Sequence, residues 1–290
     1  MKRKLTSFDV FLYILLFVLS FTFVYPLFRV LLLSVSDAAE LGGRAVWFKS
    51  YGFTLESYQY LLKDPSIIRM YLNSIGYAIA YTLVVIVFTP MLAYPLTVSE
   101  FKGKKILTIY MLITGYFSGG IVPLYFITRK VLHMYDTIFP IILIGTMSFF
   151  TVIIFKSFFE QIPSAIREAA YIDGASHMTL LFQIIMPISK PLIATFVLFS
   201  AIASWNNYFI PYVFLDNKNL WPINLQLTRL IQNATIQDAQ SLIYLKDFQS
   251  ITTRTIQSAV IIIVMVPILC VYPFLQKYFT KGMTLGAVKS

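Results

Sequence analysis

Cysteine is almost missing from this chain: Cys270 is the single one in 290 residues. A lone cysteine makes no internal disulfide and says little about redox compartment. Histidine is nearly as scarce. His133 and His177 lie far apart in sequence, and no metal-ligand spacing surrounds either. The chain also lacks a glycine-rich loop ending in Lys-Ser or Lys-Thr, so it should not cradle nucleotide phosphates itself. Charge is thin, at 12% of residues against about 25% in a soluble domain. Asp9, Asp136, His133 and His177 form no convergent acid, base or nucleophile set, which argues against a membrane enzyme. The net charge of +10 comes with no basic cluster interleaved with aromatics, so nucleic-acid binding is set aside. Short alternating strands are absent, which excludes a β-barrel.

Apolar residues fill that space, at 58% of the chain. A core of this size of protein could not hide them, so lipid is the second solvent. A helix needs about 20 apolar residues to cross the hydrocarbon. Six stretches qualify: Val10 to Phe28, Tyr71 to Ser99, Ile106 to Thr128, Thr137 to Phe155, Pro191 to Leu215 and Thr255 to Gln276. Backbone amides cannot go unpaired in lipid, so each must be helical or line a protein cavity. The expected fold is all-α: a polytopic membrane protein with six transmembrane helices forming a single transmembrane domain over 1–290. The first stretch imitates a signal peptide, with a basic start and a small-residue Ser34-Val35-Ser36. Its apolar run is too long, and it reads as a retained span.

Lysine and arginine set the orientation. With the N-terminus inside, the inner segments carry Lys2, Arg3, Lys4, Lys102, Lys104, Lys105, Lys156, Arg167, Lys190, Lys277, Lys281 and Lys289. Density is the stronger signal, because Lys102, Lys104 and Lys105 share one short turn; Arg129 and Lys130 argue mildly the other way. Both termini are therefore expected in the cytoplasm. Helix punctuation lies inside several spans: Pro90 and Pro95, then Gly115, Gly119, Gly120 and Pro123, then Pro267 and Pro273. Gly115 and Gly119, four apart, would let helices approach closely.

The most informative polar segment, 156–190, joins the fourth and fifth spans. Pro163-Ser164 reads as a helix start, with Ser164 able to cap free amides. Ala165 to Ile172 favours helix. Asp173-Gly174 breaks it. A second short helix from Ser176 to about Ile185 would end or bend at Pro187. Leu180, Leu181, Ile184 and Ile185 give it an apolar face to rest on the bundle. From physics alone this is either an ordinary interfacial loop or a rigid protrusion able to transmit force.

Glu168-Ala169-Ala170, then Gly174, then Ile184-x-Met186-Pro187 resembles the EAA motif of permease subunits in ABC importers. Met186 stands where leucine is usual. Ile172-Asp173-Gly174-Ala175 and Pro187-x-x-Lys190-Pro191 look like the carbohydrate branch, the maltose-permease second subunit and its relatives, closest to permeases for complex oligosaccharides. Trp205-Asn206-Asn207-Tyr208-Phe209 is similar to that branch's Trp-Asn-acidic-Phe segment, with Asn207 replacing the acid, and Tyr71-x-Asn73-Ser74 matches too. The resemblance implies a type I-like ABC importer permease in a bacterial cell membrane. It implies that Arg167, Glu168, Ala169, Ala170, Asp173, Gly174 and Pro187 couple the chain to an ATPase. It further implies a homologous permease, two ATPase subunits holding ATP and Mg, an extracellular solute-binding protein and a carbohydrate cargo. No cofactor or metal is expected in this chain, and no catalysis by it. The alternative cargo is an amino acid, peptide or ion.

Polar groups in spans face protein or a pathway. Ser204, Asn206 and Asn207 are the first candidates for the substrate path, with interhelical hydrogen bonding as the other reading. Trp205 and Tyr208 add aromatic faces for sugar rings. Asn73, Tyr77, Tyr116 and Tyr125 are weaker candidates. The outer segment 216–254, with Asn224, Gln226, Arg229, Gln232 and Asn233, is long for a connector. The resemblance implies that it reaches toward the binding protein, with Asp37 to Arg69 sharing the surface. Trp47 and Trp221 are alternatively interface anchors.

Overall fold

The computed structural model describes residues 6–237 and 253–287. Lys2, Arg3, Lys4 and Lys289 lie outside the described residues, as does the 238–252 part of the expected external segment; the side chains of Asn233, Lys277 and Lys281 are likewise not described. All regular structure among the described residues is helical. The chain divides into two compact units, Met1–Ile68 with Leu227–Pro267, and Arg69–Gln226 with Ile268–Ser290.

In the first unit, α1 (Ser7–Ser34) opens on a capping box. The Asp9 carboxylate accepts from the Thr6 amide at 2.8 Å and Thr6 Oγ1 accepts from the Asp9 amide at 3.3 Å, which closes two of the free donors at the helix start. The most apolar window of α1 is 0% buried within the protein. Its far end is folded against the following segment. Ser34 Oγ and Tyr58 Oη are 2.7 Å apart, the Tyr51 amide donates to Ser36 Oγ, and the Asp37 amide donates to the Tyr51 carbonyl. These bonds hold α2 (Ala38–Leu41) and α3 (Glu56–Lys63) beside the helix end.

The second unit carries most of α4 (Pro65–Ala93), a 3₁₀ turn at Pro95–Thr97, and α5 (Lys104–Tyr116). Then come α6 (Ile121–Phe126), prolonged by a π turn at Ile127–Val131, α7 (Phe139–Leu143) and α8 (Phe149–Glu160). They are followed by α9 (Ser164–Ile172), α10 (His177–Ile188), α11 (Lys190–Asn206) and α12 (Phe209–Phe214). The helices α13 (Ile223–Gln237) and α14 (Thr253–Ala287) complete the order.

Three apolar stretches are single long helices, at Ser7–Ser34, Pro65–Thr97 and Arg254–Val271. The expected third span is two helices, α5 and α6, meeting at 110° within its glycine and proline punctuation. Gly120 makes that break, at φ +82, a conformation closed to residues with a Cβ. The expected fourth span is also divided, between α7 and α8 around Gly145 (φ +87). The fifth divides at Asn207-Tyr208, between α11 and α12.

The paired-glycine reading of Gly115 and Gly119 is half right. A Cβ on Gly115 would lie 2.9 Å from Phe149 Cβ, so α5 and α8 touch there because the side chain is missing. Gly119 sits in the break itself, and its nearest side-chain neighbour is Pro123, 3.8 Å from where a Cβ would be.

One stripe of α4 clamps the segment before α13. Arg69 donates to Asn219 Oδ1. Asn73 Nδ2 donates to the Asn219 and Trp221 carbonyls at 2.8 and 3.1 Å, and Tyr77 Oη to the Leu220 carbonyl at 2.8 Å. Ser74 Oγ accepts from the Ile223 amide at 2.9 Å. Residues four apart share a helix face, so one face satisfies successive backbone groups that would otherwise be stranded. Asp136, at φ +56, continues the clamp by accepting from the Asp216 and Asn217 amides at 2.9 and 2.8 Å. Beside it Tyr135 Oη donates to the Asp216 carboxylate, which pushes that phenol up to about 12. Trp221 is buried, not an interface anchor; Trp47 is exposed.

Candidate functional site: the α8–α9–α10 elbow and the α11 break

The polar segment between α8 and α11 folds as two helices that turn sharply. The angle between α8 and α9 is 79°, and between α10 and α11 it is 85°. Pro163, not Ser164, occupies the cap position of α9, and no side chain caps it; Ser164 is the first helical residue. At the other end the Gly174 amide donates to the Tyr171 carbonyl and the Ala175 amide to the Ala170 carbonyl. Gly174 sits at φ +76 with open space where a Cβ would go, so glycine is needed there for its backbone and not for room. Ser176 Oγ then caps α10 by accepting from the Thr179 amide at 3.2 Å.

Pro187 does not end α10. A π turn at Leu180–Ile185 runs into Met186–Ile188, with Pro187 near the start of that last turn. The break falls at Ser189, whose amide donates to the Ile185 and Met186 carbonyls and whose Oγ donates to Ile185 O at 2.8 Å. Pro191 lies in the first turn of α11, where its missing N–H costs no bond.

Beneath the elbow lies a core of Ala93, Leu96, Met111, Val152, Phe155, Phe159, Ile162, Ala170, Leu180, Leu181, Ile185 and Phe196. Leu180, Leu181 and Ile185 are buried, so α10 rests on the face that its apolar spacing predicts. Ala170 is the one buried member of Glu168-Ala169-Ala170; Glu168 and Ala169 are exposed, as are Asp173, Gly174 and Pro187. Ile172 is 86% exposed, an unusual position for an isoleucine beside an otherwise closed core.

Arg167 points the other way. Its guanidinium donates to the Phe159 carbonyl at the end of α8 and reaches the Thr97 carbonyl and Oγ1 at 3.4 Å. A second tie joins Tyr94, Tyr171 and His177. Tyr94 Oη lies 2.9 Å from His177 Nδ1 and 3.2 Å from Tyr171 Oη, and Tyr171 Oη lies 3.2 Å from the same nitrogen. Arg167 was expected among the coupling residues but not as an inward anchor, because its partners are mostly backbone atoms, and the second tie was not expected, because Tyr94 lies 77 and 83 positions from Tyr171 and His177. A cavity of about 420 Å³ opens beside the second tie, lined by Tyr94, Pro95, Val98, Glu100, Phe101, His177, Met178 and Leu181. Bonds from its own amide and from Ser99 Oγ hold the Glu100 carboxyl below the usual carboxylate range.

The second candidate site lies at the α11–α12 break. Ser204 and Trp205 are buried, Asn206 and Tyr208 exposed, and Asn207 half-buried. Asn207 Oδ1 accepts from the Ile210 amide at 3.2 Å and so starts α12. Asn224 Nδ2 donates to the Trp205 carbonyl, and the Trp205 ring meets Tyr71 edge-on at 5.6 Å. Asn73 and Tyr77 belong to the α4 clamp, where their polar atoms are committed to backbone carbonyls. Tyr116 is exposed at the end of α5, with Phe149 as its ring neighbour at 6.4 Å. Tyr125 stacks among Phe126, Tyr135 and Phe214. The free polar edge of this group is therefore Asn206 with the Tyr208 ring.

Residues 72–285 match the family described as binding-protein-dependent transport system inner membrane component. The chain belongs to that family. It is 34% identical over 270 residues to Protein LplC of Bacillus subtilis, covering 92% of this chain and 89% of LplC. It is 32% identical over 290 residues to the polygalacturonan/rhamnogalacturonan transport system permease protein YtcP of the same organism, covering 100% of each. Among solved structures it is similar to a bacterial ABC transporter involved in the import of the acidic polysaccharide alginate. There the TM-score is 0.85 and the identity 26%, over 96% of this chain and 100% of that one. This inner membrane component thus has the ABC importer permease fold, and the elbow and the α11 break lie inside the matched region.

Proposed function

We propose that this chain is the permease subunit of an ABC importer that moves a carbohydrate, an oligosaccharide, across a bacterial cell membrane by ATP-driven alternating access. The observation that carries the reading is full-length similarity to a permease named for polygalacturonan and rhamnogalacturonan. A structural neighbour named for alginate import supports it. Both speak against an amino acid or peptide as cargo.

On this reading the chain crosses the membrane six times, the third, fourth and fifth crossings as the divided helices α5/α6, α7/α8 and α11/α12, and both termini face the cytoplasm. Segment 156–190 is the coupling segment and 216–254 an external one. ATP and Mg are held by two separate ATPase subunits, and a homologous permease completes the transmembrane core. An extracellular binding protein delivers the sugar. Exposed Glu168, Ala169, Ile172 and Asp173 on α9 offer a small apolar and acidic knob to an ATPase groove. Arg167 and Ala170 face inward and hold that knob to α8 and the Pro95–Thr97 turn. ATP-driven closure of the ATPases moves α9, and the buried core passes the motion to the spans. Asn206, Asn207, Ser204, Trp205 and Tyr208 border the passage, while Asn73, Tyr77 and Tyr116 support its walls.

The test is ATP-dependent uptake by the reconstituted four-subunit assembly with its binding protein. Uronate-containing oligosaccharides are expected to raise ATPase activity and accumulate, and Gly174→Asp is expected to leave hydrolysis running while uptake falls at least tenfold. Amino acid or peptide uptake in place of sugar overturns the cargo reading, and wild-type coupling in Gly174→Asp overturns the role of the elbow.

A further inference from the structure

The first unit contains a second cavity, remote in sequence from the elbow, with an unusual balance of charge. Its volume is about 280 Å³, near the lower bound for small-ligand pockets. Three arginines line it, Arg29 from α1, Arg44 from the turn after α2, and Arg254 from the start of α14, together with Leu33, Gly43 and Val46. Among the described residues no carboxylate lines it. Neither of the nearest described acids in sequence forms an ion pair with these arginines. Asp37 caps α2 by accepting from the Ala39 and Glu40 amides, and the Glu40 carboxylate lies against Gly52.

Like charges brought together on one concave surface repel unless something negative sits among them. Arg29 is positioned for such a guest. Its Nε donates to the Val46 carbonyl at 2.6 Å, which orients the fork and leaves both Nη groups without a hydrogen bond among the described residues. The Trp47 ring lies 5.6 Å from its guanidinium carbon, and the Tyr51 ring 5.7 Å from that of Arg44. Arg254 makes no side-chain ion pair among the described residues. A planar guanidinium pairs with a carboxylate through two parallel bonds, and the exposed Trp47 ring beside Arg29 suits a sugar ring.

We propose that this cavity is a recognition site for the carboxylate of an acidic sugar unit, so that the cargo is a uronate-bearing oligosaccharide. The inference rests on the carbohydrate-permease reading. A lipid phosphate needs only charge at the bilayer surface and not an arginine-lined cavity with an exposed indole beside one of those arginines, so the concavity favours the sugar. On the proposed orientation the site lies at the outer end of α1, where the binding protein releases its load.

The experiment uses the assembled transporter in vesicles of phosphatidylcholine alone, with trigalacturonate and its fully methyl-esterified form as matched probes. Binding and uptake of each are measured in the intact protein and in Arg44→Gln, Arg254→Gln and Arg44→Lys. The acid is expected to bind at least tenfold more tightly than the ester and to weaken with added salt. Either glutamine variant should remove most of that preference, and Arg44→Lys should restore part of it. Equal affinity for acid and ester overturns the inference, as does a preference that survives both glutamine variants. An effect of the variants seen only when phosphatidylglycerol is added assigns the site to lipid and overturns it. A loss confined to capture of the binding protein, with the acid preference intact, also overturns it. If neutral oligosaccharides are imported without any acid preference, this inference falls and the carbohydrate reading stands. If no saccharide is imported, both fall.

Discussion

At the scale of single residues, the elbow separates the side chains that face outward from those that hold it. Arg167 is the clearest case. A hydrogen bond to a charged group contributes about 1.5–3 kcal/mol, and this guanidinium serves two backbone carbonyls and a hydroxyl. Arg167→Met is expected to speed amide hydrogen exchange in α9 at least tenfold and to lower the sugar moved per ATP, while the ATPases still co-purify. Unchanged exchange would show that the anchor does not matter. Gly174→Ala should destabilise the elbow by about 1–2 kcal/mol through its left-handed backbone alone, with Gly174→Asn milder; thermal unfolding of the two variants checks the order. Glu168 and Gly174 drew notice in the sequence because their spacing is local. It hid the direction of Arg167, since a helix of nine residues places neighbouring side chains on opposite faces and nothing local says which face is covered. Asn73 and Tyr77 were ambiguous for a related reason: an amide and a phenol in an apolar helix look the same whether they meet cargo or a carbonyl 143 to 148 positions away.

At the scale of elements, the apolar runs located the helical regions but not their breaks. Hydropathy integrates over a window, whereas a bend of 110° turns on the conformation of Gly120. The punctuation at Gly115 to Pro123 marked the place without giving the angle. The two halves of α10 show the opposite: Leu180, Leu181 and Ile185 were legible as a buried face, but the π turn that carries them was not, because periodicity over six residues cannot separate one kind of helix from another. Leu181→Ala is expected to cost about 2–5 kcal/mol by leaving a cavity under the elbow, seen as a lower melting temperature of the assembly. Gly115→Ala should force α5 away from Phe149 and reduce the yield of folded protein, whereas Gly119→Ala should be tolerated better. Equal yields would remove the close-contact reading of Gly115.

At the scale of the whole molecule, composition and apolar length made the membrane class readable, and the motif made the family readable. Sidedness is the part to be measured. With Cys270 replaced by serine, a cysteine at exposed Ala165 is expected to react with a membrane-impermeant maleimide only after cells are opened, and one at exposed Lys49 in intact cells. The reverse pattern would invert the topology and end the coupling proposal.

The twin anchors of α9 also decide where strain must go when the elbow is pulled. Arg167 fastens it to the tail of α8 and to Thr97, and Tyr171 fastens it through His177 and Tyr94 to the next helix and to the end of α4. Four stretches of chain are thereby lashed into one block with little internal give. A load applied at Ile172 would be shared among those stretches, and Ser189, where the backbone already changes heading, lies at their margin.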